Sequence, residues 1–89
     1  SVKNFTKNLE LARSAQYKYG EARALDGLHL AFGILGRLDE QAETALSAIK
    51  IYEEINALPE LVNLYGRFGY QQRKREIDKA RLYMRKGMV

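Results

Sequence analysis

The chain has no cysteine and no tryptophan, and its 89 residues contain one proline and one histidine. Without cysteine there is no disulfide framework, no thiolate metal ligand and no cysteine nucleophile. A nucleophile–base constellation of another kind needs a histidine with an activated hydroxyl and an orienting partner. The single histidine, His29, lies between Leu28 and Leu30 on a helical pattern and has no such partners nearby in sequence. It reads as a structural residue, and enzymatic activity is not expected. No apolar run approaches the roughly 18 residues a membrane span requires. The opening stretch, from Ser1 to Lys7, lacks the apolar core of a signal peptide. Together these absences lead us to expect a cytoplasmic protein. The first residue is not methionine, so the chain is expected to be a piece of a larger protein.

Other absences narrow the fold. No segment alternates apolar and polar residues as a half-buried strand does. Six of the seven glycines fall at or before Gly69, several of them where helices should pause. Hydrophobic residues make up 46% and charged residues 29%, the balance of a globular chain and not of a disordered one. The length suits one domain covering residues 1–89. Asp39, Glu40 and Glu43 are the densest acidic group. They resemble a helix start, where carboxylates face the positive end of the dipole, more than a metal site, which needs three or four converging ligands. Gly27, Gly33 and Gly36 follow no strand and form no phosphate loop. No metal or cofactor is expected.

What is present is helical spacing throughout. Phe5, Leu9, Ala12, Gln16 and Tyr19 mark a face over 4–19, which Gly20 would close. Leu25, Leu28, Phe32 and Leu35 mark a second helix over 21–35, ended by Gly36. Ala42, Ala45, Leu46, Ile49 and Tyr52 mark a third over 39–55, with Asp39 as its N-cap. Pro59 suits the first turn of a fourth helix carrying Leu61, Leu64, Tyr65 and Phe68. A fifth, over 73–86, carries Ile77, Ala80 and Met84. Short connections between them predict antiparallel neighbours.

These helices also repeat. Leu25, Leu28, Phe32 and Gly36 align with Leu61, Leu64, Phe68 and Gln72 at a shift of 36, and Ala42, Ala45 and Ile49 align with Ile77, Ala80 and Met84 at a shift of 35. A period near 35 residues marks stacked helical repeats. The run Leu25, Leu28, Phe32, Gly36, Ala42, Leu46 and Ile49 resembles the tetratricopeptide repeat, most closely over 22–55. It departs from that pattern at His29 and Tyr65, where a small residue is usual, at Leu25 in place of an aromatic, at Gln72 in place of glycine, and in the late position of Pro59.

The resemblance implies an all-α fold of antiparallel helical hairpins, stacked as a short right-handed solenoid of about five helices. It implies a protein–protein interaction module, the interaction or dimerisation part of a regulator, that holds a peptide or partner helix in a concave groove. The residues it assigns to that groove are Arg23, Asp26, Leu30 and Gly33 from one pair, and Val62, Asn63, Gly66 and Tyr70 from the next. Apolar patches there would supply affinity and a few polar groups would set register. Apolar residues at the two ends, Phe5 and Leu9 and then Ile77, Met84 and Met88, imply a homo-oligomer or a covering partner.

Charge is uneven. Between Arg67 and Lys86 there are eight basic residues against two acidic ones, a balance of +6 in a chain whose total is +4. The basic patch comprises Arg73, Lys74, Arg75, Lys79, Arg81, Arg85 and Lys86. It fits an acidic partner. An alternative reading is a small helical nucleic-acid-binding domain that uses this last helix, with Tyr70 and Tyr83 able to stack on bases, although no nucleic-acid-binding signature accompanies it.

Overall fold

The structure, a computed structural model, describes residues 1–85, apart from the side chain of Tyr83. The described residues form four helices and no strand: α1 (Val2–Ser14), α2 (Lys18–Ile34), α3 (Leu38–Glu54) and α4 (Leu58–Arg85). Among the described residues no helix is long and apolar enough to cross a membrane.

Three turns of one design connect them. Gln16, Gly36 and Asn56 occupy the left-handed region, with φ of 55°, 74° and 57°, each twenty residues after the last. The amide that follows each, in Tyr17, Arg37 and Ala57, donates to the carbonyl of Ala12, Phe32 and Tyr52 at 2.8, 2.9 and 2.9 Å. The amides of Gln16, Gly36 and Asn56 themselves donate to Arg13, Gly33 and Glu53 at 3.1, 3.2 and 3.2 Å. This is the Schellman arrangement, which satisfies the last carbonyls of a helix and turns the chain back. Gly36 adopts it without strain because it has no Cβ.

The first turn corrects an expectation. α1 ends at Ser14, not near Tyr19, and the left-handed residue is Gln16. Gln16 and Tyr19, expected on the buried face, are exposed. Gly20 lies inside α2, where a Cβ would fall 2.6 Å from the Tyr17 ring and 3.4 Å from Ala12. Its small size serves close packing, and it caps nothing. Asp39 is likewise inside the first turn of α3, whose N-cap is Arg37. Ser1 does cap α1, its hydroxyl accepting from the Asn4 amide at 3.3 Å.

The expected fourth and fifth helices are one. α4 runs 28 residues from Leu58 through Gly66, Gly69 and Gln72, a length of about 42 Å. Counted from the three turns, the next left-handed residue would be Glu76 and the residue before it Arg75. The earlier turns place Gly, Asn or Gln there, after Ala15, Leu35 or Ile55. At Glu76 the backbone stays helical and α4 continues, although a side chain as long as that of Gln16 does enter the left-handed region in the first turn. Pro59 does fall in its first turn.

Neighbouring helices pack antiparallel, in chain order. Phe5 lies against Gly27 while Ala12 lies near Gly20, so α1 and α2 run in opposite directions. The His29 ring, in α2, is 3.2 Å from the Gln41 carbonyl, and Asp26 meets Tyr52, which gives α2 and α3 the same relation. α4 crosses back over α3 until Arg75 reaches Asp39 at 2.9 Å. The core is built from Leu9, Ala22, Ala24, Leu25, Leu28, Phe32, Ala45, Ala48, Ile49, Ile51, Tyr52 and Leu64. The alanines in α2 and α3 bring these helix axes close, and the large Tyr52 fills the centre with no exposed surface. Leu35, Leu46 and Tyr65, expected on buried faces, are exposed, as are Ile77, Ala80 and Met84.

The repeat unit also differs from expectation. Twenty residues per helix and turn make a pair of forty, not 35 or 36, and this matches Phe68 with Leu28 and Leu64 with Ala24. A shift of 36 is about ten helical turns and one of 40 about eleven, so both keep apolar residues on nearly the same face. Periodicity alone could not choose between them.

Candidate functional site

The second helix of each hairpin carries the polar residues that link alternate helices. α2 and α4 meet side by side through two contacts of equal offset. The Tyr19 hydroxyl donates to Glu60 at 3.3 Å, and Arg67 donates to Asp26 at 2.9 and 3.1 Å. Asp26 is 5% exposed. It also accepts from the Tyr52 hydroxyl at 3.3 Å, so a buried carboxylate is paired with a cation and hydrogen-bonded besides, as burial of charge requires. Its environment holds Tyr52 in the phenol form: burial first, then the Asp26 charge, push its ionisation from 10 up to about 12, against the pull of Arg23. Arg23 is raised above the ordinary arginine value, chiefly by the neighbouring Tyr52 oxygen and the charge it can carry.

Above this cluster a hollow of about 240 Å³ is lined by Phe5, Arg23, Asp26, Gly27, Leu30 and Arg67. Beside it, at the end of α2, lies a larger one of about 530 Å³, walled by Val2, Phe5, Leu30, Ala31, Ile34 and Leu35 with Ser1 and Lys3 at its edge. Phe5, Gly27 and Leu30 are common to both. The result is one groove along α2. Its far end is apolar, with Ile34 87% and Leu35 59% exposed; its near end holds two guanidinium groups and one carboxylate. Gly27 permits this shape, because a Cβ there would overlap the Phe5 ring.

Of the residues expected to bind, Arg23, Asp26 and Leu30 line this groove together. Gly33 lines a different hollow with Gln41, Lys74 and Asp78. Val62, Asn63 and Gly66 are exposed on α4, outside the residues that line the groove. Tyr70 belongs to a separate hollow on α4, with Arg73, Lys74, Ile77, Asp78 and Arg81. Sequence reasoning missed Arg67 as a groove residue and missed the apolar wall of Val2, Ile34 and Leu35. The signal for Arg67 was its position: it follows Asp26 by 41 residues, and Glu60 follows Tyr19 by the same interval.

The basic patch lies along the second half of α4. Arg75 is engaged by Asp39, Arg73, Lys74, Lys79, Arg81 and Arg85 are exposed, and Lys86 lies outside the described residues, as does Met88. His29 is fully buried, its Nδ1 beside the Gln41 carbonyl and its Nε2 without a partner. Among the described residues no group of three or more His, Cys, Asp or Glu side chains could hold a metal ion. Comparison with protein-family models, curated proteins and solved structures finds no match.

Proposed function

We propose that this chain is a protein–protein interaction module, a short tetratricopeptide-like solenoid that seats a peptide or partner helix along α2. The observation that carries the reading is the groove itself. An almost wholly apolar hollow of about 530 Å³ lies next to the one at the Arg23–Asp26–Arg67 cluster, the two sharing Phe5, Gly27 and Leu30. Such a surface offers apolar anchoring at one end and a fixed polar register at the other, which is how helical repeats hold extended or helical peptides. Ile34 and Leu35 are exposed side by side on the wall of this hollow, and it is such contiguous apolar surface that marks an interaction site.

The alternate-helix contacts support the solenoid reading. In a stacked repeat each helix touches the one after next, as α2 touches α4 through Asp26 and Arg67. The forty-residue pair is longer than the tetratricopeptide unit of about 34 residues. The likeness therefore concerns architecture more than unit length. On this reading the chain performs no chemistry and belongs in the cytoplasm as part of a regulator; the apolar edge expected at Phe5 and Leu9 is closed, with Leu9 in the core and Phe5 packed on Gly27.

The test is a peptide-display selection against the purified chain, followed by fluorescence anisotropy on the enriched sequences. Leu30→Glu should abolish capture and Arg23→Ala should weaken it at least fivefold, with unchanged helical circular dichroism. No enrichment, or capture indifferent to both substitutions, would refute the groove.

A further inference from the structure

α4 differs from the other helices because its turn is missing, and the consequence is an arm. Arg75, bonded to Asp39 in the first turn of α3, marks where α4 passes the start of its neighbour. Ten more residues follow to Arg85, about 15 Å of helix. Every described side chain over 76–85 is exposed. The second half of α4, from Tyr70 through this arm, is nonetheless not uniformly polar. Tyr70, Ile77 and Met84 are 70%, 45% and 62% exposed and stand seven residues apart. Seven residues fall just short of two helical turns, so the three make a nearly straight apolar seam along one side of the helix, and the charged residues at the positions between are mostly basic. Between its members lie Arg73, Lys74 and Arg81, which line one hollow of about 250 Å³ with Tyr70, Ile77 and one acidic residue, Asp78, so that three cations stand against one carboxylate.

We propose that this seam docks an acidic amphipathic helix of a partner protein. The partner would set apolar side chains against Tyr70, Ile77 and Met84, and carboxylates against Arg73, Lys74 and Arg81. Charge selects this occupant over a second copy of the chain. Two α4 seams placed together would bring Arg73, Lys74 and Arg81 of each against the same three cations, with only Asp78 on each side to offset them, a like-charge juxtaposition that disfavours the pair. A nucleic acid is disfavoured on different grounds. Its phosphates are read by cations that share one open face, and here Ile77 and Met84 interrupt that face while Lys79 sits elsewhere on the helix. The surface is separate from the α2 groove, and the proposal does not depend on it.

The full 89-residue chain is titrated with a labelled, end-capped 21-residue helical probe that carries leucine on a heptad seam and glutamate at the flanking positions. Three further probes are a lysine-flanked version, a scrambled version of the glutamate peptide, and a 20-base-pair DNA duplex. The glutamate probe should bind at least tenfold more tightly than the lysine and scrambled probes and than the duplex. Ile77→Ser should weaken it at least tenfold. Arg73→Glu with Arg81→Glu should invert the preference toward the lysine probe, which a mere loss of folding cannot produce. Leu30→Glu should leave binding unchanged, which separates this surface from the groove. Equal binding of the scrambled probe, tighter binding of the duplex, or dimerisation abolished by Ile77→Ser in sedimentation would overturn the proposal.

Discussion

One terminal nitrogen of Arg67, on α4, lies 2.9 and 3.1 Å from the two carboxylate oxygens of Asp26, on α2. These helices are not consecutive. The pair therefore fixes how one hairpin sits on the next, and with it the width of the groove between Leu30 and α4. The two partners differ in environment: the Asp26 side chain is 7% exposed and that of Arg67 38%. The carboxylate is the member that cannot be left alone.

Arg67→Met should destabilise the fold by about 1–3 kcal/mol in urea melts, less than a fully buried pair because the guanidinium keeps contact with water. Asp26→Asn in the Arg67→Met background should recover more than half of that loss, since it removes the stranded charge. A double-mutant cycle that shows simple additivity would mean that the two groups do not couple.

Tyr52 makes the same cluster sensitive to alkali. Its folded-state ionisation lies near 12, above the ordinary value of 10. The folded state thus favours the protonated phenol. The associated stability is complete below pH 10 and disappears as pH rises toward 12. Absorbance at 295 nm should show a late phenolate step that Tyr52→Phe removes, and the variant should lose less stability between pH 10 and 12 than the parent. At neutral pH the same substitution should cost about 1 kcal/mol, for the hydrogen bond to Asp26.

Much of this was legible in the residues. Gly36 and Pro59 punctuate the chain where the sequence places them, and Leu25, Leu28, Phe32, Ala45 and Ile49 are buried as their spacing requires. The first turn was hidden because Gln16 carries a side chain and sits where glycine or asparagine is the usual signal. The length of α4 was misread for the converse reason. Gly66 and Gly69 look like breaks, yet a break needs the hydrogen-bonded turn that follows, and Arg75 and Glu76 do not supply it. The groove was half legible. Arg23, Asp26 and Leu30 share a face of α2, whereas the apolar wall depends on how α1 approaches α2, and that is set by Gly27 accepting the Phe5 ring.

The three turns offer an internal comparison. Gln16 and Asn56 hold φ of 55° and 57° with a Cβ present, at a cost that glycine avoids and asparagine reduces. Gln16→Gly should therefore stabilise the chain by about 0.5–1 kcal/mol and Asn56→Gly by less. Gly36→Ala should destabilise by about 1–2 kcal/mol. Thermal melts of the three variants give the order directly. If Gly36→Ala proves neutral, the left-handed turn does not hold α2 to α3.

Glycines inside helices should divide by what surrounds them. A methyl group at Gly27 would enter the Phe5 ring, so the ring would have to leave its seat on α2 and swing toward the hollows it lines. Gly27→Ala should cost about 1–3 kcal/mol through overpacking, and because Phe5 is the main anchor of the start of α1 it should raise amide exchange over 2–9 before the rest of the chain. Gly66 and Gly69 have nothing within 4 Å of a built Cβ. There the only effect is backbone entropy, so Gly66→Ala and Gly69→Ala should each stabilise α4 by about 0.5–1 kcal/mol. The opposite signs follow from one substitution type in one chain, which removes differences of composition as an explanation. A stabilising Gly27→Ala would show that α1 does not lie across α2 at that point, and the apolar end of the groove would lose its wall.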